Sequence, residues 1–170
     1  VAEVNKTLEE LASTVGKDRL RTAPAQTALF PVDGVVPTAV VFPVSTQMVA
    51  EIVKCACRGN LSVVPWGSGT KMAMGNTPRS VDLVVCTSRM NHMLDVDTAN
   101  LTITVEGGVK FRDIQARLAT EEDRCYLPLD DLKTDTGEFI CSDRSHSGSF
   151  LPIDPPFSEK ATIGGIVAAN

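Results

Sequence analysis

Apolar residues in this chain come in short runs bounded by proline and glycine. Their spacing switches between the two-residue period of strands and the three-to-four-residue period of helices. Residues 8–15 predict a short amphipathic helix, capped by Asn5 or Thr7, with Glu9 and Glu10 in the first turn where carboxylates favour the helix dipole. A proline-punctuated lead-in follows to Pro37. Residues 39–42 form an apolar β-type run that Pro43 ends. Ser45 or Thr46 then caps a helix running to Arg58, in which Met48, Ile52, Cys55 and Ala56 share one face. Gly59 and Asn60 close it, and residues 61–64 predict a second strand stopped by Pro65.

This is a strand, a helix and a parallel strand, with a glycine-rich loop directly behind the second strand. Further strands are expected at residues 82–86, 93–96 and 101–106. The last sets Leu101, Ile103 and Val105 against Thr102, Thr104 and Glu106, the alternation of a half-buried strand. Gly107 and Gly108 turn the chain into a helix over residues 111–119. The class is α+β or α/β. Residues 121–149 break the pattern: they are polar, rich in Asp, Ser and Thr, and too long for an ordinary internal loop, so they form a functional segment or an insertion. Two similar phrases, Tyr126 to Asp130 and Phe150 to Asp154, bracket this stretch without amounting to a repeat. The closing residues 161–170 are small, apolar and glycine-paired, which predicts a turn feeding a buried helix. The chain stops inside that element and lacks an initiator Met, so truncation of a longer domain is expected.

Composition narrows the function. With 170 residues, 43% hydrophobic and 22% charged, the chain suits one globular domain. A net charge of −5 without a basic cluster argues against nucleic acid or an anionic membrane as partner. No apolar run reaches the ~18 residues of a spanning helix, and no secretory signal pattern opens the chain. The Asn5, Asn60 and Asn100 sequons are therefore read as chance. Five cysteines without regular spacing fit a reducing cytoplasm, and Cys55, Cys57 and Cys86 are expected to be buried, inert thiols.

The chemistry centres on Trp66, Gly67, Ser68, Gly69, Thr70 and Lys71. Two glycines straddling a serine behind a strand read by themselves either as a plain flexible turn or as a concave nest whose successive amides bind anionic oxygen. Each amide-to-phosphate hydrogen bond is worth roughly 1.5–3 kcal/mol, so three or four hold a pyrophosphate with few basic residues. Neither familiar nucleotide motif is satisfied. A P-loop needs a glycine five residues before Gly-Lys-Ser/Thr, and the dinucleotide fingerprint needs a small residue where Met72 stands.

Around this loop stands an ordered series: residues 43–46, 63–65 and Gly75, then 88–91, 95–97 and 104–109, then 151–156 with Asp154 and Pro155, then 161–165. The series resembles the PCMH-type FAD-binding domain of the vanillyl-alcohol oxidase and p-cresol methylhydroxylase superfamily. It looks most like the FAD-linked subunits of bacterial glycolate oxidase and D-lactate dehydrogenase, over residues 16–170 apart from the polar segment. The resemblance implies an α+β fold of two small α/β lobes, truncated at its C-terminal end. Residues 1–36 would be an N-terminal helix and lead-in, and 37–170 the front of the FAD-binding domain, with the polar insertion at about 121–149. It further implies that the 66–71 loop wraps the FAD pyrophosphate. Thr162, Gly164 and Gly165 would reach the flavin side, paired glycines admitting close approach and the next helix pointing its positive end at the ligand. Gly75, Asp154, Pro155, Ala168 and Asn170 complete the expected cofactor set.

Some relatives tether FAD through a histidine near the first loop. Residues 66–76 contain none, so non-covalent FAD is expected. The implied function is the FAD-binding portion of an oxidoreductase that oxidises a 2-hydroxy acid and passes electrons on, with an iron–sulfur subunit as partner. Its place would be cytoplasmic, or peripheral to the membrane through that partner. The alternatives are a non-catalytic flavin- or subunit-binding module of an electron-transfer complex, or a sugar or alcohol oxidase of the same superfamily. No catalytic base is assigned. Cys125, Cys141 and His146 with nearby aspartates lack knuckle spacing, so no metal is expected. His92 reads as a satisfied surface residue and Glu106 as a turn stabiliser. Trp66 packs the core or covers a cofactor edge, and Lys71 neutralises phosphate or is merely solvated.

Overall fold

The computed structural model describes residues 2–119 and 149–169. In chain order these form α1 (Ala2–Val15), β1 (Leu20–Arg21), α2 (Pro24–Thr27), β2 (Ala39–Val41), α3 (Thr46–Arg58), β3 (Val63–Trp66) and β4 (Leu83–Cys86). Then come β5 (Met93–Asp97), β6 (Thr102–Val105), α4 (Phe111–Ala119) and α5 (Ile163–Ala168).

Every residue of β2 and β4 is buried, as expected of strands covered on both faces. The sheet order is β1-β2-β4-β3, with β1 antiparallel to β2 and the other pairs parallel. Alternate side chains feed two clusters. Ala39, Val41, Leu83 and Val85 meet Leu8, Leu11 and Val15 of α1 and Ile52, Cys55 and Ala56 of α3. Val40, Val84 and Cys86 face Val32 and Val81, backed by Phe30, Phe42 and Trp66. Leu11, Ile52 and Leu83 are essentially inaccessible, and each contributes about 1.5–3 kcal/mol by leaving water.

Helix α3 follows its pattern closely. The Ser45 hydroxyl accepts from Met48 N at 3.2 Å as the N-cap, and Met48, Ile52, Cys55 and Ala56 face the core. At its other end Asn60, not Gly59, takes the left-handed conformation (φ 50°), while Gly59 lets Thr7 of α1 pack closely. Ser62 and Asp82 then tie the starts of β3 and β4. Asp82 Oδ2 accepts from Ser62 N and Oγ at 2.8 and 2.7 Å, and Asp82 N donates to Ser62 Oγ at 2.9 Å.

The second lobe is the antiparallel β5–β6 hairpin with α4. Val109, Ile114 and Leu118 are buried against Val96, Ile103 and Val105, with Leu151 and Ile163 packed alongside. Gln115 holds the returning chain at Leu151 by two bonds, Oε1 accepting from Leu151 N at 2.8 Å and Nε2 donating to Leu151 O at 3.1 Å. Residues 161–164 lie against 107–111 through Phe111 N–Ala161 O (2.9 Å), Ile163 N–Val109 O (2.8 Å) and Gly164 N–Gly107 O (2.9 Å).

Several expectations need correction. Helix α1 begins at Ala2, so Asn5 and Thr7 lie inside it rather than capping it. Strand β3 runs through Pro65 to Trp66, because it borders only β4 and its open side tolerates a residue without an N–H. Leu101 is an exposed turn residue with φ 54° rather than the first inward residue of β6. Helix α5 contains no buried residue, and Val167 is 73% exposed. Cys55 and Cys86 are buried thiols but Cys57 is exposed. The segment at 121–149 and its Cys125, Cys141 and His146 lie outside the described residues except for Ser149. No described helix is long and apolar enough to cross a membrane.

Candidate functional site

Strands β3 and β4 are parallel and in register at Trp66 and Cys86, so the chain leaves both at the same sheet end. Crevices outside the carboxyl ends of parallel strands are where α/β sheets bind ligands. Here that end opens into a cleft of about 500 Å³. Its floor is aromatic. The Trp66 ring packs edge-on against Phe30 (centroids 5.3 Å apart), and Phe30 packs edge-on against Phe42 (5.7 Å). Gly69 crosses directly over Trp66 with φ 74°, and a β-carbon there would strike the indole. Trp66 therefore does both things the sequence allowed: it joins the core and lines the cleft.

The opposite wall is the start of α5. Thr162 caps it, its hydroxyl accepting from Gly165 N at 3.3 Å. That hydroxyl also fills the space beside Gly67, so the two glycine segments meet across the cleft. Gly164 presses on the Gly107 backbone, leaving no room for a side chain.

The first-turn amides of α5 are spent inside the protein. Ile163 N goes to Val109 O, Gly164 N to Gly107 O, Gly165 N to Thr162 Oγ1, and Ile166 N to Thr162 O. The amides of residues 67–71 make no hydrogen bond among the described residues. Anion-binding capacity therefore sits in the first loop, while the second glycine pair serves close packing. A glycine cradle with unspent amides, beside a roomy and mostly apolar cleft, fits a dinucleotide pyrophosphate with a large ring system beside it.

Of the expected cofactor residues, Trp66, Gly67, Ser68, Gly69, Thr70 and Lys71 all line this cleft, joined by Gly75, Thr162, Gly164, Gly165 and Ala168. Asp154 is exposed and Pro155 buried, and neither is in the lining; Asn170 lies outside the described residues. Met72, Met74, Thr87 and Ile166 line it as well and were not anticipated. Thr87 had a legible signal, since it follows β4 just as Gly67 follows β3, and its hydroxyl donates to Trp66 O at 3.4 Å. The methionines and Ile166 read only as apolar filler.

His92 and Glu106 stand outside the cleft and staple the base of the β5–β6 hairpin. Glu106 Oε2 accepts from His92 N at 2.8 Å and lies 2.7 Å from His92 Nδ1, while Glu106 N donates to His92 O at 3.0 Å. The backbone bond from His92, then its ring, hold the Glu106 carboxyl below the usual range.

Comparison with known proteins agrees with this geometry. A family model described as an FAD binding domain matches residues 37–131. The glycolate oxidase subunit GlcD of Bacillus subtilis is 29% identical over 134 residues, 79% of this chain and 23% of that protein. Alkyldihydroxyacetonephosphate synthase of Trypanosoma brucei brucei is 33% identical over 139 residues, 79% of this chain and 18% of that protein. The crystal structure of p-cresol methylhydroxylase with substrate bound superimposes with a TM-score of 0.58 at 19% identity, covering 65% of this chain and 23% of that one. The fold is thus the PCMH-type α+β arrangement. The chain spans about a fifth of the length of these relatives.

Proposed function

The chain belongs to the FAD binding domain family, and from that premise we propose that it is the FAD-holding part of an oxidoreductase that takes a small 2-hydroxy acid of the glycolate or lactate kind. The observation that carries the reading is the 67–71 loop, whose unspent amides sit at the carboxyl end of two parallel strands beside an apolar cleft. Bound there, FAD supplies a two-electron acceptor. The residues of this chain hold and orient it: the loop amides take the pyrophosphate, Trp66 sets the loop height, and Thr162 fixes the opposing wall. Non-covalent binding is supported by the cleft lining, which has no His, Cys or Tyr among the described residues. The likeness to GlcD, a glycolate oxidase subunit, supports the hydroxy-acid substrate and work beside a partner subunit. The likeness to alkyldihydroxyacetonephosphate synthase favours a second reading, the same FAD site serving a different substrate.

Titration of the full-length protein with FAD, read by flavin fluorescence and calorimetry, tests this. Saturable binding lost in Ser68→Asp supports the reading, because Ser68 is exposed and the new carboxylate would face the pyrophosphate without disturbing the core. Absence of saturable FAD binding by the unsubstituted protein sinks it. Oxidation of glycolate or lactate by the loaded protein, against formation of an alkyl-dihydroxyacetone phosphate, then separates the two substrate readings.

A further inference from the structure

The chain between β3 and β4 is fixed at both ends and lightly bonded between them. It leaves Trp66 in β3 and ends at Val81, which is buried and whose carbonyl accepts from Thr38 N at 3.0 Å. Within residues 67–80 one backbone–backbone bond is present among the described residues, Met74 N to Lys71 O at 3.1 Å. A loop with so few internal bonds opens readily unless something outside it holds it. The Thr77 hydroxyl supplies such a hold, donating to Asp33 Oδ2, 44 residues earlier in the chain.

On the FAD reading above, we propose that Asp33 and Thr77 form a latch that sets the shape of the pyrophosphate cradle. Both are positioning residues. Neither lines the cleft, so their effect on FAD passes through the loop.

Asp33 is a firm post. With Gly34 it makes a tight turn, the two residues at φ 46° and 84°, closed by Val32 N–Val35 O and Val35 N–Val32 O bonds of 2.9 Å each. Val32, at the foot of this turn, is buried with Val40 and Val84 in the cluster against which Phe30, Trp66 and Met72 also pack. The post and the cleft floor therefore belong to one packed group.

Thr77 carries that fixity to the cradle. Met74 and Gly75 line the cleft, and only Asn76 separates Gly75 from Thr77. Gly75 is the bend between them, with φ 97° and open space around it. Pro78 biases Thr77 towards extended backbone, which further narrows the shapes open to this arm. A cradle held in its binding shape loses less freedom when the ligand arrives, and affinity gains by that amount.

The test uses the full-length protein, FAD titration, and trypsin, which cuts after Lys71 and Arg79 in this loop. Thr77→Val removes the donor at nearly constant shape. Asp33→Gly removes the acceptor and accepts the positive φ. Each is expected to weaken FAD about three- to tenfold, the range one hydrogen bond carries. Each should also speed cleavage after Lys71 and Arg79 while the urea midpoint is unchanged. The double variant should lose no more than the larger single loss, and Thr77→Ser, which keeps the hydroxyl, should bind like wild type. Unchanged affinity in both single variants, additive losses in the double variant, or equal losses in Thr77→Ser and Thr77→Val overturn the latch and leave the FAD reading in place. A lowered urea midpoint without faster loop cleavage also overturns it, by assigning the bond to overall stability. Failure of the unsubstituted protein to bind FAD overturns the FAD reading and the positioning role with it.

Discussion

The Thr162 hydroxyl stands where a β-carbon on residue 67 would have to be, so Gly67 and Thr162 are fitted to each other across 95 residues of chain. The contact joins the loop behind β3 to the cap of α5, and with them the two lobes. Gly67→Ala therefore displaces Thr162 or is displaced by it, an overpacking that costs about 1–3 kcal/mol. Thr162→Ala alone loses the α5 cap, about 1 kcal/mol, but frees the space. Denaturant melts of the two single variants and the double variant measure the coupling. We expect the double variant to be more stable than the sum of the single losses allows. Strict additivity would show that the contact carries no energy.

A second expectation concerns Gly69, which combines positive φ with a backbone pass over the Trp66 ring. Gly69→Ala meets both penalties, about 1–2 kcal/mol for the left-handed conformation alone, plus displacement of the indole. Since Trp66 is the single tryptophan, intrinsic fluorescence reports on this site without interference. A shifted emission maximum with weaker FAD binding is expected. An unchanged spectrum would mean that the loop does not rest on the ring.

Much of this was legible in the sequence because the determining interactions are local. The Ser45 cap and the Met48, Ile52, Cys55 and Ala56 face depend on residues within a turn of one another, and α3 and α4 appear where the pattern places them. The loop at 66–71 was legible only through the ordered series of motifs around it, since Gly-Ser-Gly behind a strand by itself reads equally well as a plain flexible turn. What the sequence hid depends on partners far along the chain. Pro65 reads as a strand stop until β3 is known to be an edge. The Thr162 to Gly165 segment reads as an anion-binding helix start until its amides are seen to be taken by Gly107, Val109 and Thr162 itself. The α5 face carries an apolar pattern, yet Val167 is exposed, so burial could not be read from composition there.

The first core gives a prediction independent of any ligand. Ile52 is fully buried between α3 and the sheet, within a cluster that includes Leu11 and Leu83. Ile52→Ala should lose about 2–5 kcal/mol, the transfer term plus the cavity left behind. Because the residue sits on the sheet face away from the Trp66 cluster, FAD affinity of the folded fraction should change less than twofold. Chemical denaturation followed by titration below the unfolding midpoint checks both halves. A large affinity loss at full folding would show that the α3 side of the sheet shapes the cleft after all.

The staple at the base of the hairpin predicts a pH dependence with a definite sign. Hydrogen bonds from the His92 backbone and ring favour the charged form of Glu106, so its folded pKa lies below its unfolded one. A carboxyl shifted this way stabilises the fold fully above the unfolded pKa and loses that contribution as pH falls through the folded pKa. Among the described residues, the side chain paired with Glu106 is the His92 ring, its Nδ1 2.7 Å from Oε2, and the acid loss is that of the Glu106 charge. Glu106→Gln keeps an acceptor for His92 N but cannot ionise. Wild type should therefore exceed the variant in urea midpoint at neutral pH, and the gap should close as pH falls below the ordinary carboxylate range and through the lowered folded pKa of Glu106. A gap that persists unchanged at acid pH would assign the role of Glu106 to shape and packing rather than to its charge.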